Sequence, residues 1–310
     1  MTRENLMGSL DHIFIVGHGR TGSTLTRHIL NSSDCIGMGG ESHYLIDSAS
    51  LGFQTRPSMR KQLARVGDLT TDEGARKVVD YLFTIRERRF IFWNLAAKKV
   101  NREDFLRRLL DLLPAQRERG LFALAMEVHA ADKPVRGEKT PAHIFFVPEL
   151  LEWFPNAKVI HTFRDPRAIY SSRKKKAESE GRRPGKAGLR RLGVAFQLVS
   201  SLHVIANWRR IENHHRRYQD QFPGRYTLLK YEDLVLKPEA TLESLCRFLD
   251  IPLTEPMLQQ TVINSSFLPD GGAGFDTGSI TRWRKHMDPL VQRWFKLWLG
   301  PQLREYGYEA

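Results

Sequence analysis

A wholly apolar run rich in β-branched residues, Ile13-Phe14-Ile15-Val16, breaks into Gly17-His18-Gly19-Arg20-Thr21-Gly22-Ser23-Thr24 and resumes as Leu25-Thr26-Arg27-His28-Ile29-Leu30. A short run without polar alternation is the pattern of a strand buried on both faces. The residues after the glycines have helical spacing, with Leu25, His28 and Ile29 on one side. Strand, glycine-rich turn and helix open a βα unit, which commits the chain to a layered α/β fold with a parallel sheet. Further strands are expected at 158–163 and 226–229. Asn101 is expected to cap a helix over 102–113, its apolar face made by Phe105, Leu106, Leu109, Leu110 and Leu113 and its end set by Pro114. Residues 192–219 read as one long amphipathic helix. Asp288-Pro289 begins a last helix that Gly300-Pro301 is expected to end. The stretch 48–138 reads as helix-rich, a candidate subdomain within a single domain over 1–310.

The glycine turn carries chemistry. Gly17 and Gly22 followed by Thr24 keep the spacing of a nucleotide phosphate loop, but Ser23 stands where that loop needs a lysine. Backbone N–H groups and the N-terminus of the next helix still form an anion cradle. The nearby cation is Arg20. A turn joining strand to helix would account for Gly19 and Gly22, but not for Arg20, Thr21, Ser23 and Thr24 together. An ordinary ATP or GTP hydrolase is disfavoured by the missing lysine. Asp165 ends a strand, yet Arg164 and Arg167 flank it, a poor setting for a dication.

Charge points the same way. The 310 residues carry a formal +13, which implies an anionic partner. Between Arg164 and Arg191 there are 11 Lys/Arg against 3 Asp/Glu. Within it, 173–176 and 181–186 read as a mobile basic loop, either a lid or solvated surface. Two cysteines exclude a disulfide framework and a four-cysteine zinc site. The histidines have no metal spacing, and His214-His215 reads as solvated surface. Trp208, Trp283 and Trp294 read as core. No apolar stretch reaches the roughly 18–20 residues of a membrane span, and Met1–His12 has no leader pattern, so a soluble cytoplasmic protein is expected.

Four segments in order resemble sulfotransferases that use 3′-phosphoadenosine 5′-phosphosulfate (PAPS). Gly19-Arg20-Thr21-Gly22-Ser23-Thr24-Leu25 is similar to their 5′-phosphosulfate loop. The segment from His161 to Ser172 resembles their 3′-phosphate segment, in which Arg164 and Ser172 would clamp the 3′-phosphate. Leu229-Lys230-Tyr231-Glu232-Asp233-Leu234 and Ser279-Ile280-Thr281-Arg282-Trp283-Arg284 resemble the later segments, which brings Tyr231, Thr281 and Arg282 to the nucleotide. The likeness is greatest to the branch with tyrosylprotein and related bacterial sulfotransferases. There a Gly-Glu step follows the loop arginine, here Gly40-Glu41, and a Lys-x-Pro motif carries a catalytic lysine, here Lys139-Thr140-Pro141.

The resemblance implies a P-loop-like three-layer α/β/α fold with a central parallel sheet and a helix-rich acceptor side. It implies Glu41 as general base, with His43 as the competing base, and Arg20 and Lys139 as the cations of transfer. Thr281 or Ser279 fills the family's hydroxyl position. No metal is called for, and the product nucleotide is 3′,5′-ADP. The acceptor is a hydroxyl on a small molecule, sugar, lipid or peptide tyrosine. The rivals are a P-loop-type nucleotide kinase and a basic nucleic-acid or heparin binder.

Overall fold

The computed structural model describes residues 10–46, 48–49, 55–86, 91–179, 193–260 and 274–308. The fold is α/β with a central parallel sheet of five strands. The strands are β1 (His12–Gly17), β2 (Ile36–Gly39), β5 (Val135–Lys139), β6 (Lys158–Phe163) and β7 (Tyr226–Lys230), in the order β2-β5-β1-β6-β7. A separate antiparallel pair joins β3 (Ser48–Ala49) to β4 (Thr55–Arg56). Helix α1 (Ser23–Asn31) follows the glycine turn, as its spacing predicts. Contacts divide the chain into two compact units, Met1–Val16 with Leu30–Ile160, and Gly17–Ile29 with His161–Ala310.

In the first unit β1 is buried along its whole length. It pairs with β5 in parallel, Phe14 opposite Glu138 and Ile15 opposite Lys139. The other side of β5 pairs with β2, Gly39 opposite Glu138. The helices are α2 (Met59–Val66), α3 (Asp72–Thr84), α4 (Arg102–Leu110), α5 (Arg117–Ala130) and α6 (Val147–Trp153), so 48–138 is helix-rich as expected. Gly37 lets α5 end directly on β2, since a Cβ there would lie 2.3 Å from the Ala130 carbonyl oxygen. An aromatic cluster of Phe14, Tyr44, Trp93, Phe122 and Phe154 fills the core, with Tyr44 stacked 4.7 Å from Phe122.

Strand β5 was not expected from the sequence. Arg136, Glu138 and Lys139 interrupt any apolar run, although Val135, Glu138 and Lys139 are all buried. Helix α4 is capped by the Asn101 side chain but stops at Leu110 rather than 113, and Leu113 is exposed. The cause is Arg117, whose buried guanidinium donates to the carbonyls of Leu110 and Leu112 and satisfies them without another turn.

The second unit holds α7 (Pro166–Ser179), α8 (Gly193–Gln221), α9 (Tyr231–Leu236), α10 (Pro238–Leu249), α11 (Glu255–Leu258), α12 (Trp283–His286) and α13 (Pro289–Glu305). Its core includes Phe163, Trp208, Trp283, Phe295, Leu299, Leu303 and Tyr308. Helix α13 runs through Gly300-Pro301, which the sequence reading took as its end. Leu299 and Leu303 lie fully buried on either side of the break, and their packing outweighs the one hydrogen bond that proline removes. The helix ends instead at Glu305, and Gly307 beyond it, with φ +73°, lets the Tyr308 N–H return to the Leu303 carbonyl at 2.7 Å. Residues 173–176 are helical within α7, not loop, and Lys174 donates to Gln197. Residues 181–186 lie outside the described residues. His215 is buried against Tyr226 rather than solvated.

Candidate active site

Several of the residues singled out by the sequence lie at or just after the C-terminal ends of parallel strands, where open α/β sheets bind ligands. The loop 18–22 follows β1, Glu41 follows β2, Lys139 ends β5, Arg164 follows β6 and Tyr231 follows β7.

In the second unit, the loop leaves β1 and re-enters helix at Ser23 through two left-handed residues, Arg20 (φ +75°) and Gly22 (φ +86°). A non-glycine residue held there stores strain, which persists only where surroundings over-determine it. The buried Thr21 hydroxyl supplies part of that hold, donating to the His18 carbonyl at 2.6 Å and meeting Thr162 Oγ1 at 2.7 Å. Thr21 therefore braces the loop from behind. Arg20 Nε donates to Ser172 Oγ at 2.9 Å. Arg164 Nη1 donates to the Arg20 carbonyl at 3.1 Å, and its Nη2 to the Ser279 carbonyl at 2.9 Å. The same guanidinium lies 4.0 Å over the Tyr231 ring. Ser279 Oγ donates to the Asp276 carbonyl, so the 2.7 Å contact with Tyr231 is a bond that the phenol donates.

Four segments far apart in sequence thus meet in one hydrogen-bonded network. Ser279, not Thr281, is the inward hydroxyl. Thr281 is exposed, and Arg282 is held by both carboxylate oxygens of Asp276 at 2.8 Å. Gly19 is exposed, Ser23 is buried at the first position of α1, and Thr24 is half-buried. Asp165 is bound by Arg167, whose guanidinium stacks 4.1 Å from Trp283, so this carboxylate is committed to an ion pair. Glu232, which the sequence reading named within its motif but gave no role, accepts from the Asp165 N–H and from Tyr308 and so braces the β6 end.

In the first unit, Lys139 Nζ bonds Glu41 Oε1 at 2.5 Å, and His43 Nε2 lies 3.2 Å from Glu41 Oε2. Burial works against ionisation of Glu41, but the His43 hydrogen bond and the Lys139 charge prevail and hold its carboxyl at about 2. The lysine is buried, the glutamate side chain 41% exposed. Each of the two residues is carried by its own motif, Gly40-Glu41 and Lys139-Thr140-Pro141, but the sequence reading missed what lies beneath them. Glu138 and His143, both fully buried, bond at 2.7 Å. The available signal was the run Glu138-Lys139-Thr140-Pro141-Ala142-His143, in which an acid shares a short strand with the lysine.

Among the described residues no group of three His, Cys, Asp or Glu side chains could hold a metal ion. No described helix is long and apolar enough to cross a membrane. The family model described as "Sulfotransferase family" matches residues 12–255. The chain belongs to the sulfotransferase family. Omega-hydroxy-beta-dihydromenaquinone-9 sulfotransferase Stf3 of Mycobacterium tuberculosis is 27% identical over 312 residues, covering 96% of this chain and 75% of that protein. An uncharacterised Aquifex aeolicus protein is 24% identical over 95% of this chain, which spans only 34% of that protein's length. The protein-tyrosine sulfotransferase of Drosophila melanogaster is 29% identical over 42% of this chain and 24% of its own. The solved sulfotransferase domain of the Synechococcus PCC 7002 olefin synthase superposes with TM-score 0.56 at 18% identity, covering 97% of this chain and 96% of that one, a likeness of fold.

Proposed function

We propose that this sulfotransferase takes its sulfuryl group from PAPS and passes it in line to an acceptor hydroxyl, with Glu41 as the general base. The reading rests above all on the network of Arg20, Arg164, Ser172, Tyr231 and Ser279 around the glycine loop. Its donors suit a nucleotide carrying two separate anions. Arg164 Nε is a buried donor without a hydrogen-bond partner among the described residues, which an added anion would satisfy. The loop N–H groups and the start of α1 would take the 5′ end, and Arg164 with Ser172 the 3′-phosphate. Bound there, PAPS supplies a sulfuryl group on a leaving phosphate that needs no metal.

The acceptor oxygen forms a bond to sulfur as the sulfur–phosphate oxygen bond breaks, and the acceptor proton passes to Glu41. Arg20 and Lys139 offset the charge that develops on the transferring and leaving oxygens. The resting ion pair sets a condition on this step. A carboxylate held at about 2 is a poor proton acceptor. Lys139 must therefore exchange Glu41 for the sulfuryl oxygens, and that exchange raises the proton affinity of Glu41 when it is needed. The relatives' names give two acceptors, a menaquinone-derived hydroxyl and a protein tyrosine, which supports a hydroxyl acceptor here. Action in the cytoplasm is part of the same proposal.

The test is ligand-induced stabilisation. The product nucleotide 3′,5′-ADP should raise the melting temperature without Mg²⁺, and more than 5′-AMP does, because only the native state binds it. Equal shifts from both nucleotides would remove the Arg164/Ser172 clamp.

A further inference from the structure

Glu41 lies in a turn with an unfavourable backbone. The next residue but one, His43, is left-handed at φ +49° without being glycine. Something must hold that turn, and the holding groups are unusual in being polar and fully buried. Glu138, on β5 between β2 and β1, has no exposed surface. Its carboxylate accepts from His143 Nδ1 at 2.7 Å, from the Thr140 hydroxyl, and from the Ser42 N–H at 3.3 Å. His143 Nε2 accepts the Leu45 N–H at 3.2 Å, which leaves the ring proton on Nδ1. The imidazole is thereby fixed as one neutral tautomer, because a proton on Nε2 would face another N–H. Thr140 Oγ1 spends its proton on Glu138 and accepts the N–H groups of Ser42 (3.0 Å) and His43 (3.4 Å). Trp93 Nε1 closes the turn from the other side on the Ser42 carbonyl at 2.8 Å.

Successive side chains on a strand point to opposite faces. On β5, Glu138 reaches the amides of the turn while Lys139 reaches the carboxylate that the turn carries. We propose that Glu138, His143 and Thr140 are positioning residues that hold the 41–45 turn so that the Glu41 carboxylate meets Lys139. The consequence for catalysis rests on the reading of Glu41 as base; the positioning itself does not.

The experiment follows the Glu41 carboxyl carbon by NMR in ¹³C-glutamate-labelled protein, the signal assigned by its loss in Glu41→Gln. The titratable groups that face it are Lys139 and His43. In the wild type that signal should stay constant on acidification from neutral pH into the ordinary glutamate range. Thr140→Val, equal in volume but without the hydroxyl, and Glu138→Gln should each bring its titration up into that range. Thr140→Ser, which restores the hydroxyl, should return it to wild-type behaviour. His143→Asn keeps the donor to Glu138 and His143→Gln the acceptor for Leu45, so each should give a smaller change than Glu138→Gln. A Glu41 titration unchanged in folded Thr140→Val and Glu138→Gln would overturn the proposal. Sulfuryl transfer is read separately. If the titration moves as expected but Glu41→Gln turns over like the wild type, the positioning stands and the base assignment falls.

Discussion

In the proposed reading Glu41 serves the chemistry and Arg164 the binding of the donor, and substitution should separate the two roles. Glu41→Gln keeps the shape and most hydrogen bonds while removing proton affinity. Its 3′,5′-ADP affinity should match the wild type while kcat falls by about 10²–10⁴-fold, the usual cost of losing a general base. His43→Asn, the control for the competing base, should retain more turnover than Glu41→Gln; the reverse order would transfer the role to His43. Arg164→Ala should chiefly raise KM for PAPS, since a 3′-phosphate far from the breaking bond is held alike in ground and transition states. Steady-state kinetics with varied donor checks this, and a fall in kcat at constant KM would reverse the division. At this scale the sequence was legible wherever a motif carries the residue. Arg20, Arg164 and Ser172 meet through their predicted segments, and Glu41 finds Lys139. Ser279 could not be told from Thr281, because the choice depends on which hydroxyl turns inward in a short 3₁₀ turn at 277–279. Glu138 and His143 stayed hidden because one partner is a backbone N–H 96 residues away and the other 98.

Among the elements, the loop between β1 and α1 is closely confined. A Cβ on Gly22 would lie 2.4 Å from the Tyr231 ring, and that ring is pinned by Ser279 on one side and Arg164 on the other. Gly22→Ala should therefore cost about 1–3 kcal/mol for the left-handed backbone alone, more with the displaced ring, and weaken 3′,5′-ADP binding. Denaturant unfolding and calorimetry measure the two effects, and a variant equal to the wild type in both would show that the loop adapts. Strands β1, β6 and β7 and helix α8 were readable because their apolar patterns are those of buried strands and a long amphipathic helix. Strand β5 was not, because a strand that buries a glutamate and a lysine beside its one valine leaves no apolar pattern. Helix α13 misled in the opposite way: a local stop at Gly300-Pro301 is overridden by the buried leucines on both sides of it.

The second unit as a whole carries a pH signature through its buried histidines. Burial holds His18 and His215 down at about 4 and His161 well below its ordinary 6.5. Tyr226 joins two of them, its hydroxyl 2.6 Å from His161 Nδ1 and 3.2 Å from His215 Nδ1. Their pKa values are lower in the folded state than in the unfolded chain, so between those values the unfolded chain binds more protons. The stability they contribute is complete above pH 6.5 and is lost as pH falls from 6.5 towards 4. The limiting slope is about 1.4 kcal/mol per pH unit for each histidine. Melting temperatures taken down through that window should fall steadily, and less steeply in His215→Gln. A flat profile would mean the imidazoles are not buried neutral.

The family places the whole molecule among sulfotransferases, whereas the donor and the base are proposals that one experiment can judge together. The protein is incubated with PAPS labelled with ³⁵S in the sulfuryl group and with fractionated hydroxyl-bearing extracts, without metal ions, and products are read by autoradiography and mass spectrometry. The account predicts label on an acceptor fraction at the mass of one added sulfuryl group, stoichiometric release of 3′,5′-ADP, and loss of both in Glu41→Gln. Transfer that persists undiminished in Glu41→Gln, or 3′,5′-ADP binding without any transfer from PAPS across the fractions, would contradict it.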